Sequence, residues 1–205
     1  MKIPKHIGII PDGNRRWAQI HGMGKEQGYS YGLLPGLDLL RKLKTMGIEE
    51  ITYYGFTVDN CKRPQIQYQA FSQACVDAVQ MIAEDGVDLL VLGNSRSKCF
   101  PKELLPYTKR TAMAGGGPKV NFLVNYGWQW DLSNIQNCGK PFSQAVSRID
   151  LIIRWGGMRR LSGFLPIQSV YADFYVVDKL WPDYTEQDLT KALQWYNKQD
   201  VTLGG

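Results

Sequence analysis

Three features of the sequence predict an α/β fold, a central parallel sheet of about six strands covered by helices. Short β-branched apolar runs alternate with longer stretches whose apolar residues recur at helical spacing. Most runs stop at a polar turn marked by Gly, Pro or Asn. Residues 149–153 are apolar almost throughout, the pattern of a strand covered on both faces. A length of 205 residues suits one domain, 1–205.

Taken in order, residues 5–10 form the first strand, stopped by Pro11-Asp12-Gly13-Asn14, and a helix starts at Arg15. Residues 33–46 repeat Leu33, Leu37, Leu40 and Leu43 at helical spacing and end at Gly47, a natural C-terminal stop. A second strand covers 51–56. Arg63-Pro64 then breaks the chain before an amphipathic helix at 68–84. The third strand is 87–92, a weak helix spans 101–113, and a fourth strand at 120–125 follows Gly115-Gly116-Gly117-Pro118. Residues 131–148 are polar and poorly patterned. Strands at 149–153 and 174–177 complete the sheet, and 187–203 reads as a closing helix with a loose end.

The composition, 44% apolar against 21% charged, supports a packed core and excludes an intrinsically disordered chain. No apolar run approaches the ~20 residues that span a bilayer, and no basic segment leads into an apolar one at the N-terminus. A cytoplasmic location is expected, compatible with peripheral membrane contact. Cys61, Cys75, Cys99 and Cys138 form no C-x-x-C pair, and with only His6 and His21 beside them they read as reduced thiols rather than a zinc site. Twenty-four basic against nineteen acidic residues leave a net charge of +5, which calls for an anionic partner. A nucleic-acid binder would spread Arg, Lys and aromatics along a stripe. Here the arginines gather beside glycine turns at strand ends, so no nucleic acid is expected.

Ligands of parallel sheets bind beyond the carboxyl ends of the strands, and two clusters fall there. Asp12-Gly13-Asn14-Arg15-Arg16-Trp17 puts a carboxylate, a flexible glycine and two guanidinium groups where a strand hands over to a helix. Backbone N–H groups and Arg bind phosphate, while a carboxylate holds a hard cation such as Mg²⁺, so the set suits a metal-bound diphosphate. Arg154-Trp155-Gly156-Gly157-Met158-Arg159-Arg160-Leu161-Ser162 forms a second phosphate cradle. Neither is a P-loop. The stretches 57–64, Asn125-Tyr126-Gly127 and Tyr171-Ala172-Asp173 are polar features that, taken singly, read as structural.

Together these blocks, collinear from residue 6 to about 184, resemble the signature regions of the cis-prenyltransferases, the undecaprenyl diphosphate synthase family. The resemblance implies a homodimer, each subunit enclosing a hydrophobic substrate tunnel, and an Mg²⁺-dependent transfer between prenyl diphosphate substrates. By position, Asp12 is the essential carboxylate that manages Mg²⁺ and the departing diphosphate, with Asn60 its catalytic companion. Gly13, Asn14, Arg15, Arg16, Trp17, Lys25, Tyr29 and Arg63 would form the allylic diphosphate site. Arg154, Arg160 and Ser162 would hold the acceptor diphosphate, and Asp173, replacing the family's Glu, would share the Mg²⁺. Gly204-Gly205 would approach the partner's site. Ionising an allylic C–O bond needs positioned positive charge and a dry cavity, and no protein nucleophile.

The chain also departs from the family. Tyr29 stands where His is usual, Lys25 where Arg is, Cys61 where Trp is, and Met158 where Glu is. Trp155 replaces a small hydroxyl residue, and Trp128-Gln129 replaces Gly-Arg. The stretch from Gly127 to Asp150 is much shorter than in chain-elongating members, as if one of their helices were missing. Arg15-Arg16-Trp17 and Gly28-Tyr29 resemble the small branch making irregular, lavandulyl-type products, in which dimethylallyl diphosphate is attacked at a middle carbon. The alternatives are regular head-to-tail elongation with isopentenyl diphosphate, and a non-catalytic partner subunit.

Overall fold

The structure, a computed structural model, describes residues 2–200. One seven-stranded sheet runs through it, in the order β4-β3-β5-β2-β1-β6-β7. The strands are β1 (His6–Ile10), β2 (Glu50–Thr57), β3 (Asp88–Leu92), β4 (Thr111–Ala112), β5 (Lys119–Tyr126), β6 (Leu151–Trp155) and β7 (Asp173–Val177). All pairings are parallel except that of the two-residue edge strand β4 with β3. The helices are α1 (Asn14–Ile20), α2 (Leu33–Thr45), α3 (Gln65–Glu84), α4 (Trp128–Cys138) and α5 (Glu186–Tyr196).

Side chains that alternate along the strands divide the core between the two sheet faces. Ile7, Ile9, Ile51, Leu89, Val91, Leu151 and Ile153 join one cluster with Leu39, Leu40 and Leu43 of α2, Val76, Val79 and Ile82 of α3, and Leu189 and Leu193 of α5. Ile10, Tyr54, Leu90, Leu92, Leu123 and Ile152 face the other way onto Phe164, Leu165 and Val146. Both faces of β6 are therefore covered, as the apolar run Leu151-Ile152-Ile153 requires.

Three expectations change. The weak helix at 101–113 is a 3₁₀ stretch, Lys102–Thr108, followed by β4, because Pro106 removes an amide donor inside it. That short strand makes the sheet seven-stranded. Residues 131–148, expected to be poorly patterned, begin within helix α4. Residues 201–203 of the expected closing helix, and Gly204-Gly205, lie outside the described residues, and α5 ends at Tyr196.

Candidate active site

Strands β1 and β6 run side by side with Ile10 opposite Arg154. Beyond them the sheet continues in opposite directions, to β2 on one side and β7 on the other. The connections diverge and leave a crevice at the carboxyl ends of β1 and β6.

Asp12 and Arg154 meet in that crevice: Arg154 Nη2 donates to Asp12 Oδ2 at 2.8 Å. Arg154 Nη1 donates to Ser162 Oγ at 3.1 Å and to the Arg160 carbonyl. The Arg154 side chain is 5% exposed, and its Nε has no hydrogen-bond partner among the described residues. A buried guanidinium rarely leaves a donor unspent, and a phosphate oxygen is the acceptor such a group suits. Ser162 holds a left-handed φ of 53°, and its carbonyl accepts from Tyr54 Oη at 2.9 Å. Strained backbone of this kind gathers at working sites.

The two clusters are stitched together. Arg16 Nη2 lies 3.6 Å from Asp12 Oδ1 and donates to the Gly156 carbonyl at 2.9 Å. Gly156 has a φ of +87°, and a Cβ there would stand 2.5 Å from Arg16 Nη2 and 3.0 Å from the Asp12 carbonyl oxygen. Only glycine lets the two turns close this far.

On the other wall, Arg63 Nη1 donates to Tyr29 Oη at 2.7 Å. Burial pushes the Tyr29 phenol up from its ordinary value against the opposing charge of Arg63. Burial likewise lowers the Arg63 guanidinium, opposed by Tyr29. Arg15 Nη1 donates to Gln67 Oε1 at 3.3 Å. Asn60 Oδ1 accepts the Thr57 backbone N–H at 2.9 Å and caps the 3₁₀ turn Val58–Lys62 that leads to Arg63. Its neighbour Cys61 donates to Asn125 Oδ1 at 3.4 Å. Burial and the adjacent Cys99 thiol push the Cys61 thiol up to about 12, which disfavours the nucleophilic thiolate at neutral pH.

These walls enclose a cleft of about 520 Å³. Gly13, Asn14, Arg15, Arg16, Lys25, Tyr29, Asn60 and Arg63 line it together with Asp12, Arg154, Arg160 and Ser162. Six cationic side chains there face the two carboxylates of Asp12 and Asp59, so much of the chain's positive excess is focused on one concave surface. Beside the cleft lies an apolar cavity of about 80 Å³ between α2, α3 and β2, and Tyr29 and Phe71 line both spaces. Where a substrate tunnel is expected, the apolar space is this small cavity.

Two expected site residues fall elsewhere. Trp17 is outside the cleft: its Nε1 donates to Asp183 Oδ1 at 2.7 Å and its ring stacks on His21 at 4.0 Å, pinning α1 to the turn Trp181–Asp183. Asp173 opens β7 opposite Leu151, three residues below the level of Arg154. That is about 10 Å along the strand, toward the opposite end of the sheet. Within one chain Asp173 cannot share an ion with Asp12. Sequence reasoning also missed Gln19, Tyr54 and Phe71; the apolar face of the helix expected at 68–84 was the only signal for Phe71.

No group of three or more His, Cys, Asp or Glu side chains suited to a metal occurs among the described residues. Mg²⁺ does not need one when phosphate oxygens and waters complete its octahedron. Asp12, at 36% side-chain exposure and open to the cleft, fits as a single protein ligand of that kind. No helix among the described residues is long and apolar enough to cross a membrane.

The comparisons with known proteins agree with this geometry. A family model described as "Putative undecaprenyl diphosphate synthase" matches residues 10–204. The chain is 31% identical over 217 residues to a tritrans,polycis-undecaprenyl-diphosphate synthase (geranylgeranyl-diphosphate specific) of Aeropyrum pernix, covering 98% of each chain. It is 32% identical over 240 residues to an isoprenyl transferase of Streptococcus thermophilus, covering 99% of this chain and 94% of the relative. Among solved structures, lavandulyl diphosphate synthase from Lavandula x intermedia in complex with dimethylallyl diphosphate superposes with a TM-score of 0.82 at 22% identity, covering 98% of both chains. With a cationic cleft at the switch point of the sheet and a family match over nearly its whole length, the chain belongs to the undecaprenyl diphosphate synthase family of cis-prenyltransferases and is an isoprenyl diphosphate transferase.

Proposed function

We propose that the protein condenses an allylic prenyl diphosphate with dimethylallyl diphosphate head to middle, releasing diphosphate and giving a lavandulyl-type product. The observation that carries this reading is the 80 Å³ of apolar space beside the cleft, about half the ~150 Å³ cavity that holds a benzene ring. A head-to-tail synthase must house a chain that lengthens by five carbons each cycle. The lavandulyl diphosphate synthase with dimethylallyl diphosphate among the structural neighbours supports the same reading.

In this reading Arg15, Arg16, Lys25 and Arg63 hold the allylic diphosphate, with Gly13 and Asn14 closing around it. Arg154, Arg160 and Ser162 hold the acceptor's diphosphate. As the allylic C–O bond breaks, its electron pair leaves on the diphosphate, whose growing charge the guanidinium groups stabilise in place. The acceptor's double bond supplies the pair for the new C–C bond, and the resulting cation sheds a proton. Mg²⁺, which the family resemblance implies, supplies further neutralisation of the diphosphates when bound, and Asp12 is the residue that would hold it. The protein acts as a homodimer, for which Ile167, Val170 and Tyr171 offer an exposed apolar face; sedimentation would report a monomer if that part is wrong.

The test gives purified protein and Mg²⁺ dimethylallyl diphosphate, and longer allylic diphosphates, each with and without isopentenyl diphosphate. Product without isopentenyl diphosphate is expected. Strict dependence on it sinks the irregular reading in favour of regular elongation, which the name of the 31% identical relative favours. Absence of turnover on every substrate would leave the partner-subunit reading, against which the retention of both phosphate cradles argues.

A further inference from the structure

The length of tail the donor site accepts follows from one aromatic pair. Tyr29, on the 3₁₀ turn Gln27–Gly32 that leads into α2, stacks on Phe71 of α3 with ring planes 5° apart and centroids 4.4 Å apart. Both residues line the cationic cleft and the apolar cavity, as do Pro11, Asn14, Tyr54 and Gly55, and the stacked pair forms the α3 side of the junction where one opens into the other. Arg63 braces it from the polar side, through the 2.7 Å bond to Tyr29 and with its guanidinium carbon 5.2 Å from the Phe71 ring centroid. Behind Phe71, the same helical stripe continues with Ala74, Cys75 and Ala78 and then Met81, all lining the cavity. Small side chains leave the 80 Å³, and Met81 belongs to the bulky end of that wall.

We propose that the Tyr29–Phe71 stack is the specificity-determining neck of the donor site, admitting about one isoprene unit and obstructing longer tails. This rests on the reading of the cleft as a prenyl diphosphate site. Tyr29 is a positioning residue here: the ring closes the neck while its hydroxyl orients Arg63 toward the diphosphate.

The neck is tested by binding rather than turnover alone. Calorimetry would compare inorganic diphosphate with non-ionising thiolodiphosphates of five, ten and fifteen carbons, on the parent chain and on Phe71→Ala, Phe71→Leu and Tyr29→Phe. In the parent, affinity is expected to stop rising after the five-carbon ligand. Phe71→Ala should raise the fifteen-to-five-carbon affinity ratio at least tenfold while inorganic diphosphate binds within about threefold of the parent. Phe71→Leu, which preserves apolar packing should the alanine variant fold poorly, should raise the ratio by a smaller factor. Tyr29→Phe keeps the rings and loses the hydroxyl, so it should weaken inorganic diphosphate severalfold with the ratio nearly unchanged. A parent that binds the fifteen-carbon ligand better than the five-carbon one, or a ratio unmoved by both Phe71 variants, overturns the neck. If length discrimination holds but no donor is turned over, the neck stands and the prenyl-transfer reading falls.

Discussion

Asp12 accepts from Arg154 with one carboxylate oxygen and faces Arg16 with the other, so the group placed to meet the diphosphates also bridges two guanidinium groups and offsets their mutual repulsion. Asp12→Ala should lower kcat by at least ~10²–10³-fold, the range for removing one preorganised electrostatic group. An unchanged far-UV spectrum would confirm that the fold survives, and retained activity would remove Asp12 from the mechanism. Gly156 governs the same junction through backbone rather than charge. Gly156→Ala forces a left-handed side chain, costing ~1–2 kcal/mol, and drives its Cβ against Arg16. The melting temperature should fall by about 2–8 °C and KM for the allylic substrate should rise. A variant with parental KM would show that Arg16 does not depend on this turn.

At the scale of elements, the turn Val58–Lys62 shows how a helix cap serves the site. Thr57 and Asn60 form a reciprocal capping box, and the turn so fixed delivers Arg63 to the cleft. Asn60→Ala should cost ~1 kcal/mol of stability and raise KM for the allylic donor; Asn60→Asp, which keeps the accepting oxygen, should restore the stability. Six strands were legible in the sequence because each is an apolar run bounded by turn residues, and the phosphate cradles were legible because they sit at strand ends. Helix α4 was not legible, because what ties it down is a buried carboxylate rather than an apolar stripe. Asp131 accepts from Tyr126 Oη and from the Ser143 backbone N–H, each at 2.7 Å. The separation of Asp173 from Asp12 within one chain was not legible for a related reason: position in a motif conveys residue type, whereas the register of β7 on β6 decides which end of the sheet the carboxylate reaches. Trp17 lies on the face of α1 turned from the cleft, which motif order alone does not reveal.

Across the whole molecule the two ends of the sheet carry opposite kinds of polarity: an open cationic cleft at the carboxyl end and a buried hydrogen-bonded network at the amino end. His6 Nδ1 lies 3.1 Å from the Ser147 carbonyl, which can only accept, so the neutral ring keeps its proton there. Nε2 then accepts from Thr52 Oγ1 at 2.8 Å, and Asn121 Nδ2 donates to both Thr52 Oγ1 and Glu50 Oε1. Burial lowers the His6 pKa from 6.5, opposed chiefly by the charge of Glu50. Folding therefore favours the neutral imidazole, and this contribution is complete above pH 6.5 and lost as pH falls through the folded value. For Glu50, burial acts upward but is outweighed by His6, Ser147 and Asn121, so its pKa is lowered from 4.5. Its contribution is present above that value and is lost at still lower pH. Urea midpoints from pH 8 to 4 should be flat above pH 7, fall below 6.5, and fall again below 4.5. His6→Asn should be less stable at pH 7, because Thr52 loses its acceptor, yet should lack the first descent. Asp12→Ala, at the other end of the sheet, should retain both. A first descent that persists in His6→Asn would assign the acid sensitivity to groups outside this network.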